Sequence, residues 1–227
     1  MTGIIAAMDI ELEGLRPYIE NPDTRLIAGR EFVSGTAFGH KVVLAVCGIG
    51  KVNAAVCAQA MIMAYKPDRI INTGVAGSLS SELSICDTVI AEYAVQHDMD
   101  TTALGDAPGF VSTVNLIRFP VCEKLSAELA EAMNSVGANV RRGGIATGDR
   151  FVCTKKDKED IANAFGCIAC EMEGGSIAHV CYLNSVPCAI IRSISDGADE
   201  EADMSYTEFA SRAADTSVKG LLSFLKR

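Results

Sequence analysis

Seven short apolar runs punctuate the chain, and several of them are apolar on both faces of the strand they would form. They read GIIAAM, KVVLAVC, RIINTGVAG, DTVIAEYAV, GGIATGD, CIACEM and PCAIIRSIS. A strand that faces water on one side alternates between apolar and polar residues, whereas a strand covered by helices on both sides does not. The pattern therefore predicts an α/β fold with a largely parallel or mixed sheet between layers of helices.

Helical periodicity lies between these runs. In the segment 122–137, CEKLSAELAEAMNSVG, apolar residues recur at three- and four-residue steps until Gly137 ends the pattern. A second apolar stripe follows Ser205, and Ser205 with Glu208 has the spacing of a capping box. Residues 1–227 show no internal repeat, low-complexity tract or flexible linker, so the sequence predicts a single domain.

The composition narrows the class of ligand. The chain is 49% hydrophobic, and its formal net charge is −9, with no run of Lys or Arg longer than a pair. This charge argues against a nucleic-acid surface and favours a small neutral or cationic ligand. The apolar content leaves surface for a subunit interface, so we expect an oligomer. Neither a signal peptide nor a transmembrane span is recognisable, which predicts a cytoplasmic protein without membrane attachment.

Several motifs admit both a functional and a structural interpretation. Gly48-Ile-Gly50-Lys51 lacks the spacing of a phosphate loop, and it favours a strand-to-helix turn over an anion contact. The cluster 97–100, HDMD, and the pair Cys167 and Cys170 could hold a metal, but a capped loop and buried thiols are commoner. His179 is more typical of a core histidine than of a ligand. We expect no metal site and no organic cofactor.

Acidic residues follow three of the predicted strands. Glu11 comes shortly after the first strand, Glu173 begins the helix after CIACEM, and Asp196 ends the hydrophobic strand AIIRSISD. Because ligands collect beyond the carboxyl ends of strands in α/β sheets, these side chains are expected to converge. Each one alone could equally be a helix cap. Three together suit general acid and base catalysis, or the stabilisation of positive charge.

The segment 167–181, CIACEMEGGSIAHVC, raises a further question, because Glu171 and Glu173 stand together in an apolar context. A buried carboxylate is costly unless a cation or a ligand satisfies it. The residue pattern alone leaves both explanations open for this pair.

Seven ordered motifs resemble those of the 5′-methylthioadenosine/S-adenosylhomocysteine nucleosidases over essentially the whole chain. They are GIIAAMDIELEGL, GIGKVNAA, IINTGVAGSL, TGDRFV, CEMEGGSIAHVC, VPCAIIRSISDGAD and MSYTEFA. The resemblance implies a nucleoside phosphorylase-like α/β domain with a mixed, partly barrel-like central sheet flanked by helices, and a homodimer. It also implies hydrolysis of the N-ribosidic bond of an adenine nucleoside, releasing adenine.

Two other functions are compatible with such a fold. A purine nucleoside phosphorylase would use phosphate in place of water, but Glu11 follows the first strand with no arginine before Arg16, and a carboxylate repels phosphate. A non-catalytic binding protein is disfavoured because nothing is missing from the acid, base and ribose positions.

The resemblance implies specific roles for the acidic residues. Asp196 would protonate N7 of adenine, with Ser195 helping to place its side chain. Glu11 would activate the attacking water on the opposite face of the sugar. Glu173 would accept hydrogen bonds from the ribose hydroxyls, which makes it the glutamate that faces a ligand.

The same resemblance implies a set of supporting residues. Phe151 would stack on adenine while the backbone of Val152 reads its edge, and Leu104 would come from the partner subunit. Val75 stands where many relatives carry Ser or Thr, and Leu104 stands where an aromatic residue is common. The remaining positions are Met172 under the sugar, Met8 and Tyr206 around the ribose and thioether, and Arg192 near Glu11, where its charge would partly offset Glu173.

Overall fold

Ten strands form one continuous sheet in the computed structural model, which describes residues 1–199 and 201–227 apart from the side chain of Met204. The strands are β1 (Thr2–Ala6), β2 (Glu20–Ile27), β3 (Arg30–Ala37), β4 (His40–Val46), β5 (Arg69–Ser78), β6 (Thr88–Gln96), β7 (Arg118–Pro120), β8 (Val140–Thr147), β9 (Cys167–Glu171) and β10 (Cys188–Asp196). The helices in these ranges are α1 (Lys51–Tyr65), α2 (Glu123–Ser135), α3 (Lys155–Phe165), α4 (Gly174–Leu183) and α5 (Ala202–Leu225). Glu200 of the loop SISDGADEE and the Met204 side chain of MSYTEFA lie outside this description.

Five strands close into a barrel. They pair in the order β5, β10, β6, β8 and β9, and β9 returns to β5. The pairs β10–β6 and β9–β5 are antiparallel, while β5–β10, β6–β8 and β8–β9 are parallel. β1 joins β5 in parallel and carries the extension β4, β3 and β2. The mixed, partly barrel-like sheet expected from the sequence is confirmed.

The seven apolar runs all lie on strands of this sheet. These strands are apolar on both sides because helices cover both faces of the sheet. β1 and β10 are buried along their whole length. One buried cluster packs the sheet against α1 and α4, and a second packs it against α2 and α5. The expected helix 122–137 is α2, and Gly137 follows it with a positive φ of 81°. Within the described ranges, no helix is both long enough and apolar enough to cross a membrane.

The sequence patterns missed β2, β3 and the short β7. β2 reads ENPDTRLI and is exposed for seven of its eight residues, so it has no apolar periodicity. The turns that follow β2 and β3 place Ala28 and Phe38 at φ of 50°, where Asn, Asp or Gly is the usual sequence signal. Gly29 and Gly39 follow them with φ of 71° and 83°, so each turn carries the glycine of the usual two-residue signal but not its first residue.

The C-terminal helix begins earlier than expected. α5 starts at Ala202 with Glu201 at its N-cap, and the amide of Ser205 already donates to the Glu201 carbonyl at 3.0 Å. Because Ser205 lies inside the helix, the expected capping box with Glu208 is wrong. The earlier start adds a turn of helix beside the carboxyl end of β10.

Candidate active site

A cavity of about 400 Å³ lies at the carboxyl ends of β1, β5, β9 and β10. It is lined by nine of the twelve residues expected from the sequence, namely Met8, Glu11, Val75, Phe151, Met172, Glu173, Ser195, Asp196 and Tyr206. Val152 lines a small adjoining cavity together with Phe151 and Asp196. The strand-end loops thus bring the three predicted carboxylates to one site, as the sheet rule led us to expect.

Among the residues that the structure describes, the groups that donate hydrogen bonds to the Glu11 carboxylate are all backbone amides. A 3₁₀ turn over Asp9–Glu11 folds its side chain back onto the end of β1, where one carboxylate oxygen accepts the amides of Ala7 and Met8 at 2.9 Å each. The other oxygen accepts the amide of Val75 at 3.0 Å. The side chain is nearly inaccessible, and burial raises the pKa of Glu11, opposed by the charge of Arg192. A carboxylate in this state is well suited to take up a proton.

Asp196 ends β10 and is held by neutral donors. The Ser195 hydroxyl donates to Oδ2 at 2.8 Å, and the Ala198 amide donates to Oδ1 at 2.9 Å. Burial raises the pKa of Asp196 in spite of these two bonds. The Ser195 hydroxyl also lies 3.3 Å from the carbonyl of Ala76. Since a hydroxyl both donates and accepts, Ser195 has a partner whether Asp196 is ionised or protonated.

The two glutamates of CEMEGG are satisfied differently. Glu171 forms a buried ion pair with Arg192 and accepts the Thr147 hydroxyl and two backbone amides. Glu173 stands at the N-cap of α4, and its Oε1 accepts the amide of Gly50 at 2.8 Å. Burial, followed by the charge of Glu171, raises the pKa of Glu173 to about 7. A cation therefore satisfies Glu171, while Glu173 faces the cavity with one donor from the described part of the chain.

Arg192 lies behind the cavity and does not line it. Its side chain is fully buried, pairs with Glu171 and donates to the Asn72 side-chain oxygen at 2.5 Å. It also donates to the carbonyls of Asn72 and Ile191, at 3.3 and 3.0 Å. The cation expected to offset Glu173 thus bonds Glu171 directly, and it acts on Glu173 and Glu11 only through the field of its charge.

Comparison with known proteins identifies the family of this chain. The sequence profile of the Phosphorylase superfamily matches residues 2–226. A 5′-methylthioadenosine/S-adenosylhomocysteine nucleosidase from Shewanella halifaxensis is 39% identical over 227 residues, covering 99% of this chain and 98% of that protein. A crystal structure of the Neisseria meningitidis nucleosidase of the same name, in complex with methylthio-immucillin-A, superposes with a TM-score of 0.95 at 38% identity, covering 99% and 98% of the two chains. The chain belongs to this nucleosidase family.

The family assignment confirms the resemblance seen in the seven motifs and the class of enzyme, an N-glycosyl hydrolase. One relative carries a different substrate in its name. The aminodeoxyfutalosine nucleosidase of Helicobacter pylori is 39% identical over 199 residues, covering 88% of this chain and 86% of that protein. The assignment therefore fixes the reaction more firmly than the group attached to the ribose 5′ carbon.

Aromatic and thioether groups line the cavity together with the carboxylates. The rings of Phe151 and Tyr206 meet edge to face with centroids 5.8 Å apart, and the Tyr206 hydroxyl lies 3.1 Å from the Met8 sulfur. Phe151 is 41% exposed, which leaves a face open at the mouth of the cavity. Leu104 lies on a 3₁₀ turn, is 83% exposed, and does not line the cavity of a single chain of this nucleosidase.

The remaining motifs have structural roles in this nucleosidase. Lys51 begins α1, its ammonium group pairs with Asp98 at 2.5 Å, and its amide donates to Asp149 at 2.7 Å. The ring of His179 stacks on Phe119 with centroids 4.5 Å apart. In the described parts of the chain, no three or more His, Cys, Asp or Glu residues group as metal ligands. All nine cysteines are free thiols.

Sequence reasoning missed some lining residues. Asp203 and Thr207 line the cavity from α5, at three residues before and one residue after Tyr206. Helical spacing from Tyr206 would have found Asp203, but the helix was expected to start only at Ser205. Ile49 and Cys170 also line the cavity, and their apolar context gave no functional signal.

Proposed function

We propose that this enzyme hydrolyses the N-ribosidic bond of 5′-methylthioadenosine and S-adenosylhomocysteine, releasing adenine and the 5-thio-substituted ribose. The observation that carries the proposal is that Asp196 and Glu11, two buried carboxylates with raised pKa values, line one cavity from different strand ends. Cleavage leaves negative charge on adenine and positive charge on the sugar, so it needs an acid at the base and carboxylates at the sugar.

On the adenine side, Asp196 acts as the general acid toward N7. Burial keeps a proton on its carboxyl group at higher pH than an exposed aspartate would allow, and Ser195 orients it. Phe151 offers its exposed face for stacking on the base, and Val152 lies at the adjoining small cavity. Proton donation to N7 makes adenine a better leaving group.

On the sugar side, Glu11 activates the attacking water and Glu173 binds the ribose hydroxyls. Glu11 has its oxygens fixed by three amides, which aim the carboxylate without neutralising it. Glu173 keeps acceptor capacity, because Gly50 is the one donor bonded to it among the described residues. Met172 lies between the two glutamates in sequence and packs under the sugar, with Met8 and Tyr206 around the 5′ group.

Water is favoured over phosphate as the nucleophile. Among the described residues that line the cavity there are four acidic side chains besides Asp196, and no Lys or Arg. A phosphate ion would be repelled by these carboxylates, and the guanidinium of Arg192 is already bonded to Glu171. Val75 touches Glu11 through its backbone amide, so water placement depends on Glu11 and not on a side chain at position 75.

We also propose a homodimer in which Leu104 of the partner subunit completes the pocket. Support comes from apolar side chains left exposed beside the cavity, with Val52 at 74%, Ile49 at 53% and Val56 at 44%. An apolar surface of this kind is typical of a subunit interface. A Val52→Asp variant should shift the mass measured by light scattering toward that of a monomer and raise KM; an unchanged mass would contradict this interface.

The remaining expectations about the whole chain stay proposals. A single domain over 1–227 is supported by the superfamily match to residues 2–226 and by the continuity of the sheet. Limited proteolysis should then release no stable fragment. The cytoplasmic location stays a prediction from the sequence.

The deciding experiment measures adenine release from 5′-methylthioadenosine in phosphate-free buffer. The assay is repeated with added phosphate, with S-adenosylhomocysteine and with aminodeoxyfutalosine, and each reaction is also run with EDTA. We expect release without phosphate, no acceleration by phosphate and no loss with EDTA. Release that requires phosphate would replace the hydrolase by a phosphorylase and remove the role given to Glu11.

A further inference from the structure

Glu171 makes more hydrogen bonds than either glutamate assigned to the reaction. One oxygen, Oε2, accepts the Arg192 guanidinium, the Glu173 amide at 3.0 Å and the Gly174 amide at 2.6 Å. The other, Oε1, accepts the hydroxyl of Thr147. A carboxylate has about four lone-pair sites, so these four bonds to the protein use most of its capacity, and those of Oε2 are all taken. Glu171 borders the cavity, but its side chain is only 2% exposed and is bonded mainly to the protein.

These bonds fix the turn that carries the sugar-binding residues. β9 ends at Glu171 and α4 begins at Gly174. By accepting the amides of Glu173 and Gly174, the Glu171 side chain closes the turn in which Met172 and Glu173 stand. Thr147 extends the link, since its Oγ1 accepts the amide of Gly175 at 2.6 Å. A Cβ on Gly175 would lie 2.8 Å from that oxygen, which explains a glycine there.

The hydrogen-bond network continues through Arg192 toward Glu11, the proposed general base. Arg192 donates to the side-chain oxygen of Asn72, and the Asn72 amide group donates to the carbonyl of Ile5 at 3.0 Å. Ile5 lies in β1, the strand that leads into the 3₁₀ turn bearing Glu11. Hydrogen bonds therefore connect the turn of Glu173 to the strand that precedes Glu11.

The charges of this region are unequal in number. Three buried carboxylates, those of Glu11, Glu171 and Glu173, share the single guanidinium of Arg192. The ion pair is formed with Glu171, the one carboxylate that the reaction does not use. Glu11 and Glu173 are left with amide donors, which hold them without neutralising them.

We infer that Glu171 is a positioning residue: it seats the turn bearing Met172 and Glu173, and it engages Arg192 so that the guanidinium does not pair with Glu173. This role rests on the proposed function. A carboxylate paired directly to arginine would accept ribose hydroxyls poorly and would stabilise positive charge on the sugar less. Glu171 thus keeps the sugar side of the cavity negative.

The test compares Glu171→Gln with Glu171→Asp in the full-length enzyme. Gln has the size of Glu and keeps one oxygen that can accept the amides of the turn, but it carries no charge. Arg192 then lacks its anionic partner at position 171 and is free to act on Glu173. Asp keeps the charge but shortens the reach to the turn. Full pH profiles of kcat and of kcat/KM for 5′-methylthioadenosine are measured for both variants and for the wild type, with thermal melting as a record of folding.

We expect the acidic limb of kcat/KM in Glu171→Gln to move to lower pH by about one unit or more, because a like charge is removed beside Glu173. The groups that face Glu173 are Glu171 on β9, Arg192 on β10, Glu11, Cys47, Tyr206 on α5 and the Gly50 amide. Plateau kcat/KM should fall by about 10²-fold in both variants, since the turn is displaced. In Glu171→Asp the limb should stay in place.

The double variant Glu171→Gln with Arg192→Gln removes both partners of the ion pair, so neither is left buried without the other. It also takes from Glu173 and Glu11 the charge that lowers their pKa values. It should return the acidic limb to the wild-type pH or above, and it provides a second folded enzyme should Glu171→Gln melt at low temperature. The role of Glu171 would be overturned if the acidic limb of Glu171→Gln stayed in place and a smaller folded fraction accounted for its loss of kcat/KM. Absence of phosphate-independent turnover in the wild type would instead overturn the proposed function.

Discussion

The adenine side and the sugar side of the cavity hold their carboxylates in different ways. On the adenine side, Asp196 is bonded by a hydroxyl and an amide, both neutral. On the sugar side, Glu11 and Glu173 share a buried region with an ion pair between Glu171 and Arg192. Burial raises the pKa values on both sides. The charge of Arg192 lowers them on the sugar side, whereas on the adenine side two neutral hydrogen bonds lower the pKa of Asp196 more than the charge of Lys158 does. The same physical cause, burial, thus acts on the proposed acid, Asp196, and on the proposed base, Glu11.

The comparison predicts a bell-shaped pH dependence of kcat/KM. Asp196 works in its protonated form, so the rate should fall as pH rises through its raised pKa. Glu11 and Glu173 work in their ionised forms, so the rate should fall as pH drops through their raised pKa values. Substitutions on the two sides should therefore move opposite limbs.

Removing the acid should have the largest effect. Asp196→Asn keeps the shape of the side chain but cannot give a proton to N7, so turnover should fall by about 10⁴-fold or more, at the upper end for a positioned acid. Adenine release is the measurement. Asp160→Asn, at an exposed site on α3, is the matched control and should leave kcat unchanged. Near-native turnover in Asp196→Asn would show that the proton comes from elsewhere.

Removing the base should come next. Glu11→Gln keeps the size of the side chain and one oxygen that accepts backbone amides, but its NH2 group cannot accept the amide that the second carboxylate oxygen binds, and it cannot take a proton from water. We therefore expect kcat to drop by about 10²–10⁴-fold with little change in KM. Glu13→Gln, two residues away and exposed, serves as the control and should match the wild type. If Glu11→Gln raised KM and left kcat unchanged, Glu11 would be assigned to substrate binding.

Stability should reveal the strain on the sugar side. Glu173 has a folded pKa of about 7, above its ordinary value, so its ionised form destabilises the fold. The penalty is absent below the unfolded pKa, grows as pH rises and is complete above about 7. Glu173→Gln should therefore raise the free energy of unfolding at pH 8 by about 1–3 kcal/mol, while lowering kcat/KM.

Urea unfolding of Glu173→Gln at pH 8 and pH 4.5 measures this effect. Most of the gain should be lost at pH 4.5, where the wild-type carboxyl is protonated in the folded state and about half protonated in the unfolded state. Glu159→Gln, exposed on α3, is the control and should change neither value. A gain that is equal at both pH values would point to packing and not to charge.

The smallest effect is expected at Ser195. Ser195→Ala removes a donor that lowers the pKa of Asp196, so the basic limb of the profile should move to higher pH. We expect kcat to fall by about tenfold, the worth of one hydrogen bond. Ser193→Ala is the matched control, since Ser193 bonds Ser217 and does not line the cavity. A basic limb that stays in place in Ser195→Ala would show that Ser195 does not act on the pKa of Asp196.

The sequence by itself determined the covered sheet and the three carboxylates at its strand ends. Apolar runs such as PCAIIRSIS specify buried strands locally, and the position of Asp196 at the end of one follows directly. The exposed strand β2 and the start of α5 were not predictable in this way. β2 has its two large apolar residues, Leu26 and Ile27, only at its end, so it shows no apolar alternation. The polar pattern at Ser205 and Glu208 imitates a cap inside a helix.

Only the tertiary structure decided which glutamate the arginine satisfies. Glu171 and Glu173 are two residues apart in the same apolar context, and Arg192 lies on another strand. Adjacent strand ends, the backbone turn into α4 and the position of Asn72 bring Arg192 to Glu171 and leave Glu173 facing the cavity. A local pattern records that a buried charge needs a partner, but the identity of that partner depends on contacts between residues far apart in the chain.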